Sequence, residues 1–576
     1  MTVLSEIRAA WRALSRVEKA VFLLAVAWLA GWEARYAANT YDDVYICLRY
    51  ARNFAAGAGW VFNPGERVEG VTSPAWVLLL AALGRAGIDP LPVAKALGGL
   101  LVLAIPGLLL ALSARLKPFN PAVKPDDGFD ERRAPLAAVI PAVLTAGSAP
   151  LAFWAVNGLE TGAYVFLVTL GILLAAREFA GGESRLPAGS AVFLLVALTR
   201  PEGAMFAGLY LAFLARYRGA RRALAGVAVI GGGLAVLLAA RWAYFGLLVP
   251  NTYFAKAGDG LWSMGPGYTY LAEFLAEQGG WFLLVGAALA FLAGGAGGKA
   301  VSGFAERRTA PAASKARRPS NPSSDLTQAP LAMFAPGVGP IDARTVPLVM
   351  WLCAAFVAAQ AGFVCLVSRD WMFGWRFVVP VLPALFLPAG AGFALAWKTL
   401  SASWVPPARA KAGLVVVAGF VAFSAVRTVK LDASARSYTA GMRAAHLDLG
   451  RWLGRSVPPG TRLALADCGL VPYLSGLPTI DLLGLTDAFI ARHGPQEGAG
   501  YVLDLGPELI VLAQRDELAG PGTVIKRVIF LVDRAIGSDP RFSAGWAHYQ
   551  AWRHGDDYDL HLYMRKDFFA RWVRGG

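Results

Sequence analysis

Charge is the scarcest property of this 576-residue chain: only 16% of its residues are Asp, Glu, Lys or Arg, against roughly 25% in soluble globular domains. Hydrophobic residues make up 56%, and several uncharged runs reach the roughly 20 residues that a helix needs to cross a hydrocarbon core. Together these exclude a soluble protein. Histidine is also scarce, and all five (His446, His493, His548, His554, His561) follow residue 440. Inventory alone therefore excludes a histidine-based metal centre in the apolar part. The four cysteines, Cys47, Cys353, Cys365 and Cys468, show neither CxxC nor metal spacing, so they supply no disulfide framework. Net charge is +15, from 54 basic and 39 acidic residues. Lysine and arginine retained in cytoplasmic loops produce such an excess in membrane proteins, so it is no argument for nucleic acid.

What is present is a succession of apolar runs. They fall at 17–36, 91–114, 135–156, 161–176, 188–199, 202–215, 223–243, 279–297, 345–367, 377–397 and 412–429. They predict a polytopic α-helical membrane protein of about eleven transmembrane helices in residues 1–430, followed by a C-terminal extracytoplasmic α/β domain, 431–576. The head carries Arg8, Arg12, Arg16 and Lys19, which reads as a retained anchor with its N-terminus inside. Residues 37–90 are polar and aromatic, with one apolar stretch too short to span, and form the first outer loop with helices lying on the membrane. Alternation then places 115–134, 177–187, 216–222, 298–344 and 398–411 in the cytoplasm, together with the basic clusters around Arg115, Arg132, Arg216, Arg221, Arg307 and Arg317. Segment 298–344, rich in Pro, Ser, Ala and Arg, reads as a disordered cytoplasmic linker. In the tail, an amphipathic helix at about 437–455 precedes strand-like TRLALAD, ELIVLAQ and KRVIFLVD.

Polar residues at membrane depth are expensive and tend to line cavities. On the outer side this map collects Asp42 and Asp43, Glu160 in NGLETG, Arg200 and Glu202 in LTRPEG, Asn251 and Lys256 in PNTYFAK, and Asp370 and Arg376 in RDWMFGWRF. A helix starting at Asp42 puts Asp42, Tyr45, Arg49 and Arg52 on one face. A carboxylate there can take a proton from a sugar hydroxyl, and arginine can hold a phosphate bidentately. The competing reading is a helix start, with Thr40 as N-cap and Asp43 completing a capping box. Arg200 and Glu202 equally suit an ion pair that fixes packing, Lys256 an ordinary loop lysine, and the aromatic residues of RDWMFGWRF an interfacial belt. Two adjacent carboxylates also allow a divalent metal, which needs more oxygen ligands than these. In the tail, Asp467 follows a strand, where α/β domains bind ligands; a turn or cap role fits it as well.

The run DDVYICLRYARNFAAGAGWVFNPGERVEGVTSPAWVLLL, followed in order by NGLETG, LTRPEG, PNTYFAK, RDWMFGWRFVVPVLP and DCGLVPYLSGLPTIDLLGLTDAFIAR, resembles the GT-C superfamily of integral membrane glycosyltransferases. Within it, the mycobacterial terminal β-(1→2) arabinofuranosyltransferase branch is the nearest likeness. The resemblance implies a bacterial plasma-membrane enzyme that transfers a sugar from a polyprenyl-phosphate donor to a glycan or lipid-linked acceptor outside the membrane, with inversion. It places the catalytic base in the acidic pair, Asp42-Asp43. Asp42 is then the expected base. Arg49, Arg200, Lys256 and Arg376 are the candidates for the donor phosphate, and Glu160, Glu202, Asn251, Asp370 and Asp467 for substrate contacts. The alternative is a transporter or flippase of a lipid-linked sugar, although the chain shows no paired halves. A scaffold that uses the same polar layer for packing is the third.

Overall fold

The first apolar run folds as the helix Arg16–Tyr36, started by a capping box in which Ser15 and Glu18 exchange side-chain and backbone bonds. The computed structural model describes residues 2–116, 138–181, 188–257, 266–305, 345–367, 369–400, 406–520, 523–555 and 558–575. Among these, five helices are long and apolar enough to cross a membrane: Pro90–Arg115, Thr161–Phe179, Ala220–Phe245, Val346–Val367 and Val379–Trp397. A sixth candidate is the pair Gly267–Glu277 and Gly280–Leu292, bent by 87°. The other expected runs form shorter or more polar helices. Run 135–156 is split into Ile140–Ala146 and Ala149–Ala155 at Gly147-Ser148, just ahead of Pro150. Run 188–199 makes a helix of 12 residues, while 412–429 lies inside the 36-residue helix Pro406–Gly441. The helix Gly280–Ala305 extends into the expected linker 298–344; the remainder of that linker, like Arg132, Arg307 and Arg317, lies outside the described residues.

Two helices, Asp42–Ala55 and Pro74–Arg85, occupy residues 37–90, the segment expected as the first outer loop. Beyond the membrane region, the helix Pro406–Gly441 passes through a π-helical turn, Met442–Leu447, into the amphipathic helix Asp448–Ser456. A sheet follows, built from β1 (Leu463–Leu465), β2 (Thr479–Asp481), β3 (Leu509–Gly520), β4 (Thr523–Val528), β5 (Trp546–Arg553) and β6 (Asp559–Arg565). Its order is β2-β1-β3-β6-β5, with β4 paired to β3. β1 runs parallel to β2 and β3; the remaining pairings are antiparallel. Side chains alternate across the strands, which gives the sheet two cores. Ala464, Ile510 and Leu512 pack beneath Val502 and Ile536, while Leu463, Leu465, Val511 and Leu562 pack beneath Leu449 and Leu453. The expected strands at TRLALAD and ELIVLAQ are β1 and the start of β3, and KRVIFLVD holds the end of β4 and then turns into the helix Leu531–Ser538.

Between β1 and β2 the short helix Leu470–Ser475 faces the membrane part. It is the piece of the C-terminal domain that meets the first outer loop.

Candidate active site

The helix Asp42–Ala55 starts at the expected residue, with Tyr41 as N-cap and no side-chain capping bond. The Thr40–Asp43 capping box is therefore not the arrangement adopted. The expected stripe of Asp42, Tyr45, Arg49 and Arg52 forms, and its partner is the helix Leu470–Ser475. Asp42 accepts from the amides of Gly469 and Leu470, one on each carboxylate oxygen, both at 2.7 Å. These are first-turn amides that have no partner within their own helix. Gly469 is required there, because a Cβ would collide with the carbonyl and the carboxylate of Asp42. Tyr45 packs on Tyr473 at 5.5 Å between ring centroids, and Arg52 donates to the Tyr473 carbonyl at 2.9 Å.

Arg49, expected to hold the donor phosphate, is bonded on every side within the protein. Its guanidinium donates to the carbonyls of Phe62 (2.9 Å), Pro472 (2.7 Å) and Leu477 (2.8 Å) and to Asn63 Oδ1 (3.1 Å), and it is buried. Such a cation is committed to joining the loop to the domain. Asn251 is similarly occupied: its amide nitrogen lies 2.8–3.1 Å from the carbonyls of Gly484, Leu485 and Asp487. It ties the helix Asn251–Ala257 to the same domain, and Lys256 sits at the far end of that helix.

Asp43 is different. One residue along the helix from Asp42, it points about 100° away and keeps 29% side-chain exposure, with Oδ2 3.9 Å from Arg376 Nη1. The other side of that guanidinium is held by Asp370: Nε donates to Oδ2 at 3.0 Å and Nη2 to Oδ1 at 3.2 Å. Arg376 follows Gly374 (φ 89°) and Trp375, the only non-glycine residue of positive φ (53°) among the described residues, so strained backbone aims it. Arg200 lies nearby between two acids. It donates to Glu202 Oε1 at 2.6 Å and to Glu160 Oε1 at 3.4 Å, with the rings of Tyr164 and Phe377 5.6 and 5.7 Å from the guanidinium. The ion-pair reading of Arg200 and Glu202 is thus realised, and Glu160 joins it. Burial pushes the Asp43 carboxyl up, while Arg376 and the exposed Lys256 pull it down and Asp370 and Asp467 push it up. Among the described residues no three His, Cys, Asp or Glu side chains converge as metal ligands.

The anionic side comes from the C-terminal domain, which supplies a residue that sequence reasoning did not single out, His446. Asp467 Oδ2 lies 3.0 Å from His446 Nε2 and accepts from the Tyr558 hydroxyl at 2.7 Å. Burial works against its charge, but these two partners hold Asp467 below the usual carboxylate range. His446 is fully buried, which disfavours its charge; the bond and charge of Asp467, with the charge of Asp42, nevertheless raise it above 6.5. Burial pushes Asp42 up to about 7, opposed by His446 and the Leu470 amide. No local signal in the sequence marks His446, since its partner stands 21 positions away on another element.

A histidine raised on folding confers stability that is complete below its unfolded value of about 6.5 and is lost as pH rises through the folded value. An acid raised to about 7 acts in the same direction over a lower range. The melting temperature of the purified protein should therefore fall as pH rises from about 6 to 8, and His446→Gln should flatten that slope. Parallel curves for the two proteins would contradict this account of the His446–Asp467 pair.

Comparison with known proteins adds to this geometry. The family described as "Domain of unknown function (DUF8728)" matches residues 434–563. Over 287 residues the chain is 34% identical to the terminal β-(1→2)-arabinofuranosyltransferase of Mycobacterium tuberculosis, covering 47% of this chain and 43% of that protein. Over 294 residues it is 30% identical to the protein of the same name from Corynebacterium glutamicum, covering 46% and 39%. The chain thus spans less than half the length of the curated relatives it matches. Apo ArnT from Cupriavidus metallidurans superposes with a TM-score of 0.51 at 13% identity, over 95% of this chain and 98% of that one. The same protein bound to undecaprenyl phosphate gives 0.50 at 12%, over 96% and 98%. This chain is a multi-pass membrane protein with the GT-C fold of ArnT, and it is similar in sequence to terminal β-(1→2)-arabinofuranosyltransferases.

Proposed function

We propose that the protein is a membrane glycosyltransferase that moves a sugar, arabinofuranose, from a polyprenyl-phosphate donor to a hydroxyl of a cell-envelope glycan on the outer side of the membrane, with inversion. The observation that carries this reading is an accessible carboxylate, Asp43, beside Arg376 and near Lys256, with the neighbouring Asp42 held on two amides. The names of the sequence relatives and the undecaprenyl phosphate bound by the fold relative support it.

In this reading Asp43 is the base. It takes the proton of the acceptor hydroxyl, the oxygen attacks the anomeric carbon from the face opposite the phosphate, and the bond to the phosphate oxygen breaks. The lipid phosphate departs as an anion toward Arg376 Nη1 and Lys256, which stabilise the developing charge. Asp370 orients Arg376, and Glu160 and Glu202 fix Arg200 behind it. Asp42 passes from expected base to anchor, because both of its oxygens are occupied by amides. The membrane orientation belongs to the same proposal: N-terminus in the cytoplasm and 431–576 outside, as the basic loops suggest.

Asp43→Asn should lower transfer from a polyprenyl-phosphate sugar by about a hundred-fold or more while the protein stays folded, since general bases contribute that much. Asp42→Asn should lower the melting temperature and leave the folded fraction active. The reverse pattern would make Asp42 the base. Orientation is checked by labelling single introduced cysteines in intact cells, in a background lacking Cys365. A membrane-impermeant reagent should reach a cysteine within 530–540 and not one within 298–344, and the opposite labelling would overturn the map.

A further inference from the structure

Asp467 is near enough to push the Asp43 carboxyl up, where Arg376 and Lys256 pull it down, and its surroundings differ in kind from theirs. The groups that most strongly favour its charge are His446, Tyr558 and His554, whereas for Asp43 they are Arg376 and Lys256. Both hydrogen bonds to Asp467 fall on Oδ2. Oδ1 takes none among the described residues and is not a sealed, unpartnered atom, and the side chain keeps 15% exposure. Behind it the support is rigid. His446 is wholly buried in the π-helical turn, and the Tyr558 ring stacks on His554 at 4.7 Å and 5°. This is a carboxylate fixed from the rear with one oxygen presented forward.

Paired with His446, Asp467 offers a phosphate no cation to spare, whereas it suits a neutral polyol: a sugar hydroxyl donates to a carboxylate and brings no charge. From this geometry we infer that Asp467 is the acceptor-binding residue of the C-terminal domain, its Oδ1 accepting from the hydroxyl next to the one that Asp43 deprotonates. His446 and Tyr558 are positioning residues that hold it. The inference rests on the proposed glycosyltransferase reading and deepens it: the pocket is divided between a cationic side for the donor phosphate and an anionic side for a vicinal diol of the acceptor. Because the C-terminal domain supplies the diol contact, it selects the acceptor, while the membrane part handles the donor.

The test measures binding without any donor. A synthetic arabinofuranosyl disaccharide, and its analogue lacking the hydroxyl beside the acceptor position, are titrated onto purified full-length protein. Asp467→Asn should weaken binding of the parent disaccharide about ten-fold, the size expected for a lost charge-assisted hydrogen bond. The deoxy analogue should lose as much on wild type, and the two changes together should cost no more than either alone. Undecaprenyl phosphate affinity should stay at the wild-type value. In transfer assays Tyr558→Phe and His446→Gln should raise the acceptor KM and leave kcat close to wild type. Unchanged disaccharide affinity in Asp467→Asn with a lowered melting temperature would overturn the inference, leaving Asp467 a strut. Additive losses, or no binding of the disaccharide by wild type, would overturn it as well. Failure of the catalytic reading is seen separately, as full turnover in Asp43→Asn.

Discussion

The two bonds from the Gly469 and Leu470 amides to the Asp42 carboxylate are the constraint on which the junction of the membrane part and the C-terminal domain depends. A carboxylate with both oxygens satisfied can be buried at tolerable cost, and one without partners cannot. Its neighbour on the stripe, Arg49, closes the other end by donating to the carbonyls of Pro472 and Leu477. The loop helix thus grips the helix Leu470–Ser475 by its first amides at one end and by carbonyls in and just beyond its last turn at the other. With Asp42 fixed, the roughly 100° step of an α-helix decides where Asp43 points. The anchoring of Asn251 to the turn at 484–487 gives Lys256 a similarly fixed base. A domain attached in this way becomes part of the site rather than an appendage to it.

Charge is then sorted by element. The membrane part contributes Arg376, held by Asp370, and Arg200, held by Glu160 and Glu202, and the C-terminal domain contributes Asp467 with His446 and Tyr558. Each buried charge has a partner, as the penalty for desolvation demands. Asp43 feels both sets and approaches Arg376 at 3.9 Å. Its proton affinity is therefore set by competition between burial and cations, the condition in which a carboxylate serves as a base near neutral pH.

Composition and periodicity made the polytopic helical class legible, together with the helix start at Asp42 and the stripe of Asp42, Tyr45, Arg49 and Arg52. Pairs close in sequence were also within reach, Arg200 with Glu202 and Asp370 with Arg376. What the stripe binds was not. Asp42 and Leu470 are 428 positions apart, and no local pattern records that a helix face meant for the site is spent on a second domain. The roles expected of Arg49 and Asn251 shifted for this reason, since a polar residue in an outer loop looks the same whether it meets a substrate or a backbone carbonyl. His446 was invisible for a related reason: a buried histidine on an amphipathic helix carries no mark until Asp467 is seen beside it. β5 was missed because its aromatic sequence WAHYQAWR alternates weakly; β6 does alternate, with Leu560, Leu562 and Met564 buried.

The central claim is that one anchored carboxylate and one exposed carboxylate divide structural and chemical roles at the mouth of a lipid-phosphate site. An electron cryomicroscopy structure of the protein with undecaprenyl phosphate bound tests this most directly. The account predicts phosphate oxygens within hydrogen-bonding distance of Arg376 and Lys256, Asp43 facing the phosphate, and Asp42 still on the amides of Gly469 and Leu470. A phosphate seated away from both cations, or an Asp42 released from those amides and turned toward the lipid, would contradict it.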